Sequence, residues 1–271
     1  MNGSAPLVMA VGGQDPTGGA GLFADIRALC AAGVRIAACV TAVTAQNSRG
    51  VSSFQAVTPE MLLAQMRSVA EDHTIHALKI GMIGHVDLVD ALNEFLRTHP
   101  IPYVVLDPVI QASAGGVFAD QALIDRILSG LLPRLTLITP NLPELTMITH
   151  FQVNDPTRVR TAAEYLIGRG CKAVLVKGGH SEGTPVDRLY QIGEEHAYRA
   201  SRLVGRIRGT GCGLASFISG RLAQGDTLID AIKKARYYIR RQFRDYGRCG
   251  RTLLGAWIPE EHRESTGTAR S

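Results

Sequence analysis

The sequence predicts an α/β protein with a mostly parallel central sheet and helices on both faces. Two observations carry this. Short apolar runs alternate with longer segments of helical periodicity along the 271 residues. The short runs are apolar throughout rather than alternating, the pattern of strands buried on both faces. A composition of 45% hydrophobic and 20% charged residues is that of an ordinary globule and excludes disordered, collagen-like and disulfide-dense chains.

Strands are expected at 7–11 (LVMAV), 36–43 (IAACVTAV), 77–80 (ALKI), 103–106 (YVVL), 135–139 (LTLIT) and 173–177 (AVLVK). Helices are expected at 20–32, 59–72, 86–98, 120–130, 157–169, 212–223 and 226–244. In the last helix Leu228, Ile232, Ala235, Ile239 and Phe243 repeat at helical spacing. Lys233, Lys234, Arg236, Arg240, Arg241 and Arg244 fill its other faces, read as solvated, and Asp226 after Gly225 is the expected N-cap. The polar segment 184–200 is expected to hold a short hairpin. No repeat and no Pro- or Ser-rich linker divides the chain, so residues 1–259 are read as one domain and 260–271 as a frayed polar tail.

The net charge of +5 is uneven. Residues 201–251 hold 12 Lys/Arg against 3 Asp/Glu, and the remainder is mildly acidic. Such a stretch is a nucleic-acid footprint or the phosphate side of an enzyme. No RNP, zinc-finger or helix-turn-helix pattern supports the first, so no nucleic-acid partner is expected. The five cysteines are odd in number and form no CxxC pair, which argues against a disulfide framework or a zinc ribbon. His73 and His76 are read as surface or helix-end residues. Residues 1–6 lack a signal-peptide pattern, and no apolar run reaches the roughly 18 residues of a membrane span. The expected setting is a reducing cytoplasm, with no membrane partner.

Five features carry chemistry. The turn Gly12-Gly13-Gln14-Asp15-Pro16-Thr17-Gly18-Gly19-Ala20-Gly21 follows the first strand. Its glycines allow close approach of a ligand, but it is neither GxGxxG nor a P-loop. Arg208-Gly209-Thr210-Gly211-Cys212-Gly213 opens an apolar helix, where bare backbone N–H groups and the helix dipole make an anion hole. A cysteine there is expected to have a lowered pKa, lowered further by Arg206 and Arg208. Asp107-Pro108 and Thr139-Pro140-Asn141-Leu142-Pro143-Glu144 each follow a strand, where acids face the ligand crevice of an open sheet. One acid from each suits Mg²⁺ held through water. Lys177-Gly178-Gly179-His180 follows the last strand and suits a phosphate.

In this order the motifs resemble the hydroxymethylpyrimidine/phosphomethylpyrimidine kinase family of thiamine biosynthesis, a branch of the ribokinase-like superfamily. The resemblance runs through GGQDPTGGAGLFADI, TAVTAQNSRGV, KIGMIG, LDPVI, LITPNLPEL, VLVKGGH and GTGC, about residues 7–225. It implies a three-layer ribokinase-like fold. It implies ATP-dependent phosphorylation of 4-amino-5-hydroxymethyl-2-methylpyrimidine, of its monophosphate, or of both. By position, Gly13, Asp25, Gln46 and Met82 would line the pyrimidine pocket. Cys212 would take the proton of the attacking hydroxyl, and the amides of Gly209, Thr210 and Gly211 would hold the transferring phosphoryl group. Asp107 and Glu144 would serve Mg²⁺, and Lys177 the ATP phosphates; Arg208, outside the family pattern, is read with Arg206 as positive charge at the ATP phosphates or for a different second substrate. A homodimer is implied by the same resemblance. The chain departs from the family pattern at Arg208, which replaces a histidine, at Gln14, and at Ala112-Ser113-Ala114-Gly115-Gly116, where a lysine is missing. A pyridoxal or pyridoxine kinase and a non-catalytic pyrimidine-binding paralogue are the alternatives.

Overall fold

The computed structural model describes residues 4–47, 49–111, 116–179, 184–201, 207–245, 247–249 and 252–254. Nine strands form one sheet in the order β3-β2-β1-β4-β5-β6-β7-β8-β9. They are β1 (Leu7–Gln14), β2 (Arg35–Asn47), β3 (Gly50–Ala56), β4 (Ile75–Ile80), β5 (Tyr103–Leu106), β6 (Leu137–Ile138), β7 (Val174–Val176), β8 (Val186–Gln191) and β9 (Glu194–Arg199). β2, β1, β4, β5, β6 and β7 run parallel, while β3, β8 and β9 are antiparallel additions at the two edges. The chain leaves β1 toward β2 and then crosses back to β4, which places a topological switch between β1 and β4.

The layers follow from alternate strand residues. Leu7, Met9 and Val11 face one way, into a cluster with α2 (Pro59–Asp72), α3 (Val86–Thr98), α4 (Gln121–Arg126), α5 (Leu142–Thr149) and α6 (Pro156–Gly168). Val8 and Ala10 face the other way, against α1 (Gly21–Ala32). On that second face Val105, Leu137 and Leu175 pack on α7 (Thr210–Ala223) and α8 (Leu228–Asp245). Both sides are covered, which is why the strands are continuously apolar.

The expected elements form, with instructive differences. The helix expected at 120–130 is α4 followed by a π-helical turn, Ile127–Leu131. The hairpin within 184–200 is β8 and β9, joined through Gly193. The turn read at 139–144 runs into a helix, α5 (Leu142–Thr149): Pro143 sits in the first turn, where no amide is needed, and Asn141 and Glu144 close a reciprocal capping box. β3 was not foreseen because it is a largely exposed edge strand with no apolar run. A short antiparallel pair, β10 (Gly247–Cys249) and β11 (Thr252–Leu254), follows α8.

Asp226 is not the cap of α8. Thr227 is: its Oγ1 accepts from the Asp230 amide at 3.2 Å, while Asp226 pairs with Arg221 and Lys234. His76 is neither a surface nor a helix-end residue, since it lies half-buried in β4 and its Nδ1 accepts from the Leu7 amide. Nor is the basic face of α8 wholly solvated. Arg236 is mostly buried, stands over the Tyr198 ring and pairs with Asp187. Among the described residues no helix is long and apolar enough to cross a membrane. Arg202, Arg206, residues 112–115, His180 and the expected tail lie outside the described residues.

Candidate active site

The carboxyl ends of the parallel strands open into a cavity of about 380 Å³ beside the topological switch. β1 delivers Gly12 and Gly13 to it, β4 leads to Met82, and β5 leads to Asp107. Lys177, directly after β7, and Glu144, in the first turn of α5, line the far side. The first turn of α7 closes the cavity with Gly209, Thr210, Gly211 and Cys212. All twelve residues expected at the site therefore line one cavity.

Gly209 caps α7 in the left-handed region, φ 74°, and among the described residues no side chain caps the amides of the helix start. A Cβ at Gly209 would stand 2.4 Å from the Gly19 carbonyl oxygen, so the GTGC turn and the glycine-rich turn after β1 touch backbone to backbone. This arrangement leaves N–H donors and the positive end of the helix dipole facing the cavity.

Asp107 and Lys177 make an ion pair at 2.7 Å, and Glu144 lies 3.8 Å from the same ammonium. Thr139 also donates to Asp107 Oδ1, at 3.2 Å. Burial works against the Asp107 carboxylate, yet Lys177, Lys79 and Thr139 together hold its pKa below the ordinary value. Burial, reinforced by the Asp107 charge and opposed by Lys177, raises that of Glu144. Both bonds to Asp107 fall on Oδ1, and Oδ2 lies 3.5 Å from where a Gly211 Cβ would be. Among the described residues no group of three or more His, Cys, Asp or Glu could hold a metal by itself. Two carboxylates with one free oxygen toward the helix start fit Mg²⁺ bound through water and substrate phosphates, and no closer binding.

A second ion pair forms the inner wall. Lys79 Nζ lies 2.7 Å from Asp25 Oδ1, with both side chains fully buried. Ser216 of α7 donates to the same oxygen at 2.8 Å. Asp25 Oδ2 is buried with no hydrogen-bond partner among the described residues. Burial raises the Asp25 pKa against the pull of Lys79. For Lys79 burial alone would favour the neutral amine, but Asp25, Cys212 and Asp107 outweigh it and hold the ammonium. Gly81 makes the room, since a Cβ there would stand 2.7 Å from Nζ. The sequence reading missed Lys79, although a signal existed. A lysine inside the apolar run ALKI requires a buried counter-charge, and Asp25 on the apolar face of α1 is the matching anomaly.

One expectation is corrected. The Cys212 thiol is not made more acidic: burial pushes its pKa up to about 12, with the Lys79 charge the main opposing influence. Arg208 lines the same cavity as Lys177 and has partners of its own. It pairs with Asp15 at 3.1 Å and donates to Thr17 Oγ1 at 3.0 Å and to Gln46 Oε1 at 2.9 Å, beside the residue expected for the pyrimidine. Asp15 and Thr17 were also missed; their positions in a QDPTG turn mark them only as turn formers.

Residues 15–255 match the phosphomethylpyrimidine kinase family model. The chain is 40% identical over 235 residues to the hydroxymethylpyrimidine/phosphomethylpyrimidine kinase of Streptomyces coelicolor, covering 86% of this chain and 87% of that one. It is 35% identical over 240 residues to the Escherichia coli enzyme of the same description, covering 85% and 88%. The crystal structure of phosphomethylpyrimidine kinase from Clostridium difficile superposes with a TM-score of 0.78 at 30% identity, over 88% of this chain and 99% of that one. The pyridoxal kinase of Staphylococcus aureus in complex with ADP gives 0.85 at 20% identity, over 94% of each chain. The higher score goes with the lower identity, and at that identity it speaks for the shared ribokinase-like fold alone. Sequence and structure thus agree that the chain belongs to the phosphomethylpyrimidine kinase family.

Proposed function

We propose that this protein uses ATP to phosphorylate the hydroxymethyl group of 4-amino-5-hydroxymethyl-2-methylpyrimidine and then its monophosphate. The observation that carries the reading is the meeting, in one cavity, of Asp25, Gln46 and Met82 with the uncapped start of α7. The first three suit a flat polar ring: Met82 packs directly on Gly13, where a Cβ would stand 2.7 Å from its Sδ, and Asp25 Oδ2 and the Gln46 amide offer polar edges. The α7 amides of Thr210 and Gly211 hold the transferring phosphoryl group, with Gly209 shaping the turn. Lys177 neutralises phosphate charge, and positioning with charge stabilisation is what this reaction needs most. Asp107 and Glu144 are the residues to hold Mg²⁺ through water, and the ion supplies charge neutralisation at the ATP phosphates. Cys212 takes the hydroxyl proton.

Incubating the purified protein with Mg-ATP and each pyrimidine, and following the phosphorylated products by chromatography, tests the proposal. Both products are expected; neither appearing refutes it. Pyridoxal is the substrate of the alternative kinase reading that the sequence left open, so it belongs in the same panel. ATP consumption with pyridoxal alone would transfer the assignment to it.

A further inference from the structure

Arg208 has one of the most completely occupied side chains at the site. Its side chain is 7% exposed, donates to two groups and ion-pairs with a third, on two separate elements. Nη2 donates to Gln46 Oε1 at 2.9 Å, near the end of β2. Nη1 donates to Thr17 Oγ1 at 3.0 Å in the glycine-rich turn. Asp15 Oδ2, fully buried, lies 3.1 Å from Nη2. The hydroxyl of Thr17 donates in turn to Asp15 Oδ1 at 2.8 Å. The contact with Asp15 Oδ2 is an ion pair without a hydrogen bond, so the directed bonds of the guanidinium are those to Gln46 and Thr17.

The consequence falls on Gln46. An isolated glutamine amide can turn over and present either its oxygen or its NH₂. Here it cannot, because a guanidinium has donors only and must meet the amide oxygen. The NH₂ of Gln46 has no partner among the described residues, and Gln46 and Arg208 both line the cavity. Toward a ligand Gln46 is therefore a donor and not an acceptor.

We propose that Arg208 is the positioning residue that sets ring specificity: by holding Gln46 through its oxygen, it makes the pocket select a heteroaromatic ring presenting a bare nitrogen acceptor. This rests on the kinase reading above. A 4-aminopyrimidine carries such nitrogens beside its amino group. With the amide locked, a ring that offers only a donor at that edge leaves two donors facing each other, and an unmatched buried donor is costly. Arg208 acts on binding of the ring and not on phosphoryl transfer.

A double-mutant cycle on the full-length protein decides this. Arg208→Met is expected to raise KM for the hydroxymethylpyrimidine about tenfold, the worth of roughly one hydrogen bond, with the loss falling on KM rather than kcat. Gln46→Ala is expected to raise KM at least as much. The pair together should be no worse than Gln46→Ala alone, because Arg208 has nothing left to orient. Independent, multiplying KM effects would overturn the proposal, as would an Arg208→Met loss confined to kcat. Arg208→Lys keeps the charge beside Asp15 and replaces the methionine variant in the cycle if that one does not fold. An intermediate KM for it, with the same non-additivity, is expected. Failure of the wild-type protein to phosphorylate either pyrimidine strikes the function; multiplying effects in an active enzyme strike this inference alone.

Discussion

Lys79 and Asp25 show what a single pair of residues contributes. A buried ion pair is weak evidence of net stability, because desolvating both charges offsets most of their attraction. Breaking one is another matter. Lys79→Met leaves Asp25, 0% exposed, with Ser216 as its remaining partner. The expected loss is about 3–5 kcal/mol of unfolding free energy, read from urea denaturation. Adding Asp25→Asn to Lys79→Met removes the stranded charge and is expected to recover much of it; no recovery would show that the pair is not the source. Cys212 makes a prediction of opposite character. A proton acceptor must be a thiolate, and burial has raised the thiol to about 12. Below that value the thiolate fraction grows tenfold per pH unit, so kcat/KM is expected to climb with a slope near one between about pH 7 and 9. Cys212→Ala is expected to flatten the slope and lower the rate by about 10²–10⁴-fold. A wild-type profile flat over that interval would remove Cys212 as the base.

At the scale of elements, the start of α7 is held by its neighbours rather than by a cap. Gly209→Ala puts a side chain at φ 74° and 2.4 Å from the Gly19 oxygen. It is expected to cost about 1–3 kcal/mol through backbone strain and to lower kcat/KM as the amides of Thr210 and Gly211 move. A fully active Gly209→Ala would show that the turn does not position them. α8 contributes through Arg236. Its partner Asp187 also accepts the Gly178 amide at 2.8 Å, in the turn that follows Lys177. Asp187→Ala is therefore expected to raise KM for ATP several-fold while leaving KM for the pyrimidine unchanged; steady-state kinetics in each substrate separates the two. α5 and β3 show why elements escaped the sequence reading. α5 is short and carries its only strong signal in its cap, while β3 is an edge strand whose exposed residues carry no periodic apolar face.

Over the whole molecule, the uneven charge resolves into local pairings. Arg208 is satisfied by Asp15, Arg221 and Lys234 by Asp226, and Arg236 by Asp187. These pairings neutralise part of the described basic stretch, and in the cavity, where Lys177 is itself paired with Asp107, the start of α7 is the positive feature with no paired carboxylate among the described residues. On the proposed function, Mg-ATP bound there would stabilise the whole fold by mass action, about 2.7 kcal/mol at a hundred times Kd. A thermal shift with ATP is therefore expected to depend on Mg²⁺ and to shrink on chelation, together with loss of turnover. A shift unaffected by the chelator would exclude Asp107 and Glu144 as holders of the ion.

The amino-acid sequence by itself determined the layered α/β architecture, through periodicity, and marked Asp107, Glu144, Lys177 and the GTGC helix start, through turns directly after strands; Asp25, Gln46 and Met82 were placed in the cavity by the family resemblance. Periodicity and turns are local in the chain. Only the tertiary structure decided what those residues do to one another. Asp25 and Lys79 are 54 positions apart, and Gln46 and Arg208 are 162 apart. A pKa or an amide orientation is set by neighbours and by exclusion of water, and neither exists until β1, β2, β4 and α7 converge. Position in a helix suggested an acidic thiol, and the same helix folded over a dry wall produced the reverse. The arginine read with the phosphates in the sequence has Asp15 and Gln46 beside it in the fold, neighbours that its own stretch of chain does not contain.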